Sequence, residues 1–154
     1  MTSLLLRSTS ADLMMCRLEV PDRASVIAAM ARQLAAVDPA VDAGQIQEVA
    51  LAREGIESTG IGDRVALPHA RTDAVQSTLL CIATLATPVE WQSYDERPVE
   101  AAFLILGSRR APAQQLRVLA DVSGLVRREG FVDQLLGAAD AQAMMGVVKA
   151  AAAN

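Results

Sequence analysis

Apolar positions along the chain follow two spacings. Apolar residues recur every three or four positions in segments 22–37 and 42–55 and from residue 112 onward, a spacing typical of helices with one buried face. Segments 78–86 and 99–106 are instead almost continuous apolar runs, typical of strands that are covered on both faces of a sheet. Helices are therefore expected early and late in the chain, with strands between them.

Shorter segments complete this pattern. Residues 13–20 and 65–67 are predicted to form strands, and Pro88 and Pro98 are expected to bracket the loop between the two long strands. The order of elements predicts the α/β class, with a single mixed β-sheet flanked by helices. The length favours one domain, which we expect to span residues 1–154.

Helix ends are marked by acidic residues and glycine. Asp22, Asp42 and Asp140 precede predicted helices, where a carboxylate can accept hydrogen bonds from the free N–H groups of the first turn. Gly55 is placed to end the second helix as a left-handed residue. Phe131–Leu136 is predicted to be a short helix.

Composition and charge narrow the class of protein. Hydrophobic residues make up 52% of the 154, too many for a disordered chain. The net charge of −4 argues against a nucleic-acid-binding protein or a polybasic membrane-surface protein. No apolar run approaches the roughly 20 residues of a membrane span. The three leucines near the N-terminus end at Arg7, too soon for a signal peptide, so we expect a cytoplasmic protein without direct membrane insertion.

The cysteines and the histidine do not predict a metal site. Cys16 and Cys81 lie far apart, each in an apolar, strand-like run, and we interpret both as free buried thiols. Zinc would need three or four good ligands. One histidine and two distant cysteines do not supply them, so no metal is expected.

The candidate chemistry centres on His69, the only histidine. It follows Pro68 at the end of the predicted strand 65–67, and Arg71 comes two residues later. Residues 58–62, Ser-Thr-Gly-Ile-Gly, precede this strand as a glycine-rich loop. Strand ends and the loops on them are common places for a reactive side chain.

Several familiar chemistries do not fit this arrangement. Neither a G-x-S-x-G nucleophile elbow nor a Walker A sequence is present. The run from Gly60 to Val65 begins as G-x-G but lacks the third glycine, and it lies after a helix and before a strand, the reverse of the dinucleotide-binding context. His69 as a nucleophile remains, because a neutral imidazole can accept a phosphoryl group when its other nitrogen carries the proton.

A phosphoryl group on His69 would bring about −1.5 to −2 charges and would need cations and N–H donors. Arg71 and Arg53 are the candidate cations, and the Thr59 hydroxyl and the backbone of residues 59–62 are candidate donors. The other loop residues assigned to the site are Ser58, Gly60 and Gly62. Competing interpretations are that Ser58 and Thr59 only shape the turn and that Arg71 is a solvated surface charge.

With these residues in view, the chain resembles the mannitol/fructose-type EIIA domains of the bacterial phosphoenolpyruvate-dependent phosphotransferase system, and among them the standalone nitrogen-regulatory EIIA proteins. The resemblance covers nearly the whole chain. It rests on residues 51–54 (Leu-Ala-Arg-Glu), 58–62, 65–71 (Val-Ala-Leu-Pro-His-Ala-Arg), 98–106 and 115–119 (Gln-Leu-Arg-Val-Leu). The middle blocks, with their fixed spacing to Pro-His, are the most specific part.

This resemblance implies a fold and a reaction. The fold would be the EIIA sandwich of one sheet between helices. His69 would receive a phosphoryl group, on Nε2, from the phosphocarrier HPr or its nitrogen-branch homologue, and Arg53 would lie beside it. In sugar-transporting members the group then passes to a cysteine of an EIIB domain. No cofactor carries the chemistry, because positioning and charge stabilisation dominate such transfers.

One departure from the family leaves alternatives open. Many members have a histidine where this chain has Gln115, which could still donate an amide N–H to a phosphoryl oxygen but cannot become cationic. We expect a regulatory phosphohistidine carrier, because no EIIB domain or sugar channel is attached. The alternatives are a binding module that regulates a kinase or transporter without phosphorylation, and the EIIA component of a fructose-type sugar transporter.

Overall fold

The computed structural model describes residues 3–153, so residues 1, 2 and 154 of the expected domain lie outside the described part. The helices are α1 Leu4–Arg7, α2 Arg23–Val37, α3 Ala43–Ile56, α4 Pro112–Val126, α5 Phe131–Leu136 and α6 Ala141–Ala152. The strands are β1 Met14–Leu18, β2 Gly60–Gly62, β3 Val65–Ala66, β4 His69–Thr72, β5 Leu79–Val89 and β6 Val99–Ser108. A 3₁₀ turn at Ala11–Leu13 leads into β1.

The strands form one mixed sheet in the order β1-β5-β6-β3-β2, with β4 also paired to β6. Strands β5 and β6 are antiparallel, whereas β1 runs parallel to β5. Both β3 and β4 run parallel to β6, β3 opposite residues 101–102 and β4 opposite residues 105–108. They therefore lie end to end along one edge of β6, and the step between them places His69 at the start of β4.

Helices cover both faces of this sheet, as the sequence predicts. Alternate residues of β6 face opposite ways. Ala102, Leu104 and Leu106 pack in the core that includes α2 and α3. Ala101, Phe103 and Ile105 pack in the core that includes α4, α5 and α6. The predicted α/β sandwich with a mixed sheet is confirmed.

The acidic helix caps are confirmed, but the predicted helix end at Gly55 is wrong. Asp22, Asp42 and Asp140 each accept a hydrogen bond from a backbone N–H of the following turn. Helix α3 instead continues through Gly55 to Ile56. Glu57, the first residue after the helix, is extended with φ of −158°. A side chain contributes to the end of the helix, because Arg53 Nη1 donates a hydrogen bond to the Glu57 carbonyl at 2.6 Å.

Other differences concern strands. Pro88 lies inside β5 because that strand continues to Val89, past the predicted end at residue 86. The pairing of β5 with β6 shifts register between Thr84 and Val89, and a residue without an N–H fits such an irregular stretch. Strand β2 was expected as part of a loop, and β4 begins at a residue expected to follow a strand.

Both cysteines are free thiols, as predicted, although Cys16 is half-buried and only Cys81 is fully buried. Burial raises the pKa of the Cys81 thiol to about 12. Among residues 3–153, no helix is long and apolar enough to cross a membrane.

Native-state alkylation should therefore distinguish the two thiols. We expect iodoacetamide at pH 8 to modify Cys16 at least about a hundredfold faster than Cys81, because burial both blocks access to Cys81 and suppresses its thiolate. Peptide mass spectrometry after timed quenching measures both rates. In denaturant the two rates should converge, and equal rates in the native protein would contradict the burial of Cys81.

Candidate functional site

His69 is oriented by a hydrogen bond to the backbone two residues before it. Its Nδ1 lies 3.0 Å from the carbonyl oxygen of Leu67. A carbonyl oxygen only accepts, so Nδ1 carries a proton, and in the neutral ring the free lone pair is then on Nε2. The ring is half-buried at the start of β4, and the preceding Pro68 has a fixed φ and restricts the backbone of Leu67. The geometry thus makes Nε2 the nucleophilic atom of the ring in its neutral form.

Arg71 lies two residues along β4 from His69, so the two side chains emerge on the same face of the sheet. Arg71 is exposed, but its Nε donates to Gln115 Oε1 at 2.6 Å. Gln115 lies in the first turns of α4 and is only 3% exposed. The structure therefore brings together three of the sequence-predicted site residues, His69, Arg71 and Gln115, on the α4 side of the sheet.

Gln115 is not positioned as the direct donor that was expected. Its Nε2 donates to the carbonyls of Ala70 at 2.8 Å and Ile105 at 3.2 Å. Both amide hydrogens are therefore engaged with the backbone of β4 and β6, and the amide oxygen with Arg71. Gln115 therefore contacts Arg71 through its amide oxygen, and an N–H from Gln115 to a phosphoryl oxygen would require these backbone bonds to break.

Both hydrogen-bond donors of Thr59 are also engaged within the protein. Its N–H donates to Glu54 Oε2 at 2.9 Å, and its hydroxyl donates to Glu54 Oε1. Thr59 and Glu54 are both buried, and Arg23 Nη1 lies 3.9 Å from the carboxylate. The predicted role of the Thr59 hydroxyl as a donor to a phosphoryl group is corrected to that of a donor to Glu54, which fixes the loop to α3.

Ser58 and the glycines shape the loop, as one of the competing interpretations held for Ser58. The Ser58 hydroxyl donates to the Trp91 carbonyl at 2.7 Å and accepts from Gly60 N at 3.1 Å. A Cβ at Gly60 would lie 2.3 Å from Ser93 Oγ and 3.2 Å from Ser93 Cα, so a side chain there would displace Ser93. Gly62 has φ of +87°, which also favours glycine.

The turn after Gly62 makes contacts with side chains from other segments of the chain. Asp63 and Arg64 have φ of +53° and +71°, as in the two-residue hairpin turns that suit a right-handed twist. Asp95 accepts from Asp63 N at 2.9 Å, and this bond lowers the pKa of the Asp95 carboxyl. Arg64 pairs with Asp133 at 2.7 Å, which raises the pKa of the Arg64 guanidinium. These contacts fix the β2–β3 hairpin that leads into the His69 segment.

Arg53 lies on α3, the helix that packs on the face of the sheet opposite α4. It is half-buried, and its Nη1 donates to the Glu57 carbonyl. Within residues 3–153, no hydrogen bond joins Arg53 to His69. The structure thus gives Arg53 a role in ending α3, and its predicted place beside a phosphorylated His69 stays a prediction.

Sequence reasoning missed the importance of two residues that these contacts depend on. Glu54 continues the buried stripe of Ile46 and Ala50 at helical spacing, and a carboxylate on such a stripe is a signal for a buried polar contact. Gly107 ends an apolar run, and a Cβ there would lie 2.6 Å from Gln115 Cδ. Nothing local in the sequence indicates that approach.

Comparison with known proteins identifies the family of the chain. A family model described as "Phosphoenolpyruvate-dependent sugar phosphotransferase system, EIIA 2" matches residues 8–151. The chain therefore belongs to the EIIA family of the phosphotransferase system.

Individual relatives fall in the same family. A protein of Pseudomonas aeruginosa named "Nitrogen regulatory protein" is 33% identical over 110 residues, which is 71% of each chain. A "PTS system fructose-specific EIIA component" of Haloferax volcanii is 30% identical over 118 residues, 73% of this chain and 77% of the relative.

Solved structures share the fold. The nitrogen regulatory protein IIA-Ntr of Neisseria meningitidis superposes with a TM-score of 0.86 at 22% identity, covering 95% of this chain and 99% of that chain. Mannitol IIA of Escherichia coli gives a TM-score of 0.74 at 14% identity, covering 90% and 97%.

Proposed function

We propose that the protein is a phosphohistidine carrier that accepts a phosphoryl group from an HPr-type donor on Nε2 of His69. The observation that carries this proposal is the hydrogen bond between His69 Nδ1 and the Leu67 carbonyl. It selects the tautomer whose free lone pair is on Nε2, so the ring needs no proton transfer before it attacks. Membership of the EIIA family supports the same reaction.

The transfer exchanges one phosphorus–nitrogen bond for another. The Nε2 lone pair of His69 forms the new bond to phosphorus. The bond to the donor histidine breaks, and its electron pair stays on the donor nitrogen. The proton stays on His69 Nδ1, hydrogen-bonded to the Leu67 carbonyl throughout, so no cofactor or external base is required. Positioning and charge stabilisation are then what the protein must supply.

Arg71 is the cation that the described contacts favour for the phosphoryl group. It shares a face of β4 with His69, and strand residues two apart have Cα atoms roughly 6–7 Å from each other, within reach of a long side chain. Its Nε is engaged by Gln115, which leaves its terminal nitrogens for phosphoryl oxygens. Arg53 and the backbone of residues 60–62 are further candidates, whereas Ser58 and Thr59 act on the shape of the loop.

We further propose that the phosphorylation state serves regulation in the nitrogen branch. The nitrogen regulatory protein relative and the superposition on IIA-Ntr support this assignment. The similarity to a fructose-specific EIIA component keeps sugar transport as the second candidate. Such a carrier would act in the cytoplasm with its donor and pass its signal to a separate partner.

Reconstitution tests the carrier function. The protein is incubated with enzyme I, an HPr-type protein and phosphoenolpyruvate, and then weighed intact by mass spectrometry. We expect one acid-labile phosphoryl group per chain, mapped to His69, and no adduct when the HPr-type protein is omitted. An unmodified chain in the complete mixture would overturn the proposal.

The choice between regulation and sugar transport is tested by donor and acceptor preference. A regulatory carrier should accept phosphate faster from the nitrogen-branch HPr homologue than from HPr. It should also fail to phosphorylate the cysteine of a fructose-type EIIB. Rapid transfer to that EIIB would favour the transport role instead.

A further inference from the structure

We infer that Gln115 is a positioning residue that fixes the guanidinium of Arg71 for the phosphoryl group on His69. This inference rests on the proposed function for its purpose, but the contacts that carry it are independent of that function. Gln115 is buried at the start of α4, 44 residues from Arg71 in sequence, and the two side chains are joined by a hydrogen bond of 2.6 Å.

The orientation of the Gln115 amide is determined by its surroundings. The two backbone carbonyls of Ala70 and Ile105 can only accept, so they must face the NH₂ group. The amide oxygen then has to point the other way, toward Arg71 Nε, which can only donate. Reversing the amide would lose all these bonds at a site closed to water, so Gln115 is fixed in one orientation.

The part of strand β6 that lies against Gln115 leaves space for its side chain. Gly107 is the β6 residue paired with Arg71, and Ile105 is the residue paired with His69. A Cβ at Gly107 would lie 2.6 to 2.9 Å from three side-chain carbons of Gln115, closer than atoms of a packed protein approach. Glycine at this position therefore allows the Gln115 side chain to lie flat on the sheet between α4 and the β4–β6 pair.

This arrangement gives an exposed arginine a defined direction. A guanidinium is planar, so a hydrogen bond at Nε restricts the directions that both terminal nitrogens can take. Those terminal nitrogens donate no hydrogen bond within residues 3–153. Pre-orienting them reduces the entropy lost when they bind phosphoryl oxygens. Gln115 therefore acts on the reaction through Arg71, although its own hydrogens are turned toward the backbone.

A double-mutant cycle tests this mechanism. The rate of phosphoryl transfer from the phosphorylated HPr-type donor to His69 is measured for the wild type, Gln115→Met, Arg71→Gln and the double variant. We expect Gln115→Met to slow transfer about tenfold, the effect of losing one charge-assisted hydrogen bond. Because Gln115 acts through Arg71, we expect no further slowing when Gln115→Met is added to Arg71→Gln.

Two further variants separate positioning from general damage. Gln114→Met is the matched control, because Gln114 lies in the same helical turn and its Oε1 accepts from Thr78 N rather than contacting Arg71. It should transfer at the wild-type rate. Gly107→Ala should displace Gln115 without altering its chemistry, and we expect it to slow transfer about as much as Gln115→Met. Multiplicative losses in the double variant would contradict the inference, since a purely structural role predicts them.

A measurement without phosphate distinguishes failure of this inference from failure of the proposed function. Exchange of the Arg71 Nε hydrogen is followed by nitrogen-15 NMR in the unphosphorylated protein. We expect protection in the wild type and in Gln114→Met, and its loss in Gln115→Met. Equal exchange in all three proteins would overturn the inference. A protected hydrogen in a chain that accepts no phosphate would overturn the proposed function and restrict Gln115 to orienting a surface arginine.

Discussion

Replacing His69 with alanine is expected to reduce phosphoryl transfer to the chain by more than about a thousandfold, to below detection, because the variant removes the nucleophile itself. The chain has no other histidine, so no neighbouring imidazole can substitute. The fold should survive, because His69 is half-buried and its described hydrogen bond is to a local carbonyl. Intact mass after incubation with the phosphorylated donor measures the loss, and circular dichroism checks the fold.

His69→Asn is the second arm of this experiment. Its amide nitrogen can donate to the Leu67 carbonyl, but the side chain offers no nucleophilic nitrogen. We expect it to compete with the wild type for the phosphorylated donor while remaining unmodified itself. An acid-labile phosphoryl group on either variant would place the acceptor elsewhere. If partner binding and cellular output were indifferent to both His69→Ala and His69→Asp, the phosphorylation-independent binding module would be favoured.

The parts of the fold that the sequence predicts are those with local signals. The helices begin where an acidic residue can cap the first turn, as at Asp22 and Asp42, and that chemistry needs only the next few residues. Strand β4 lacks such a signal, because His-Ala-Arg-Thr is only four residues long with one apolar side chain, and its structure depends on pairing with β6. The end of α3 likewise depends on a side chain, Arg53, rather than on glycine.

In the candidate site, too, the sequence predicts the features with local signals and not the contacts between distant segments. His69 could be chosen as a candidate from the sequence because Pro-His follows closely after the glycine-rich loop. The partners of Arg71 could not, because Gln115 reaches it only once β4 pairs with β6 and α4 packs on that edge. Thr59 was assigned to the phosphoryl group because a glycine-rich loop usually offers its donors to an anion. The structure shows that a carboxylate of the protein itself, Glu54, already accepts both donors of Thr59.

Replacing Glu54 with alanine is expected to lower the free energy of unfolding by about 3 kcal/mol, a typical cost when one partner of a buried charged network is removed. The Glu54 side chain is 1% exposed and accepts both donors of Thr59, which is itself 5% exposed. Truncation leaves the Thr59 N–H without its acceptor in the interior, and Arg23 without its carboxylate. For a chain of this size the change corresponds to a fall in Tm of roughly 6–12 °C.

Two variants, one at Glu54 and one close to it in sequence, serve as controls for this prediction. Glu57→Ala removes an exposed carboxylate three residues away, and it should change the free energy of unfolding by less than about 0.5 kcal/mol. Glu54→Gln keeps the size of the side chain but has one acceptor oxygen for two donors, so its cost should be intermediate. Urea unfolding gives all three values, and hydrogen exchange at the Thr59 amide should accelerate only in the Glu54 variants. If Glu54→Ala were as stable as Glu57→Ala, the Glu54 carboxylate would not be needed to hold the loop. The hydrogen bond between Ser58 and Trp91 would then be the contact that holds the loop before the His69 segment.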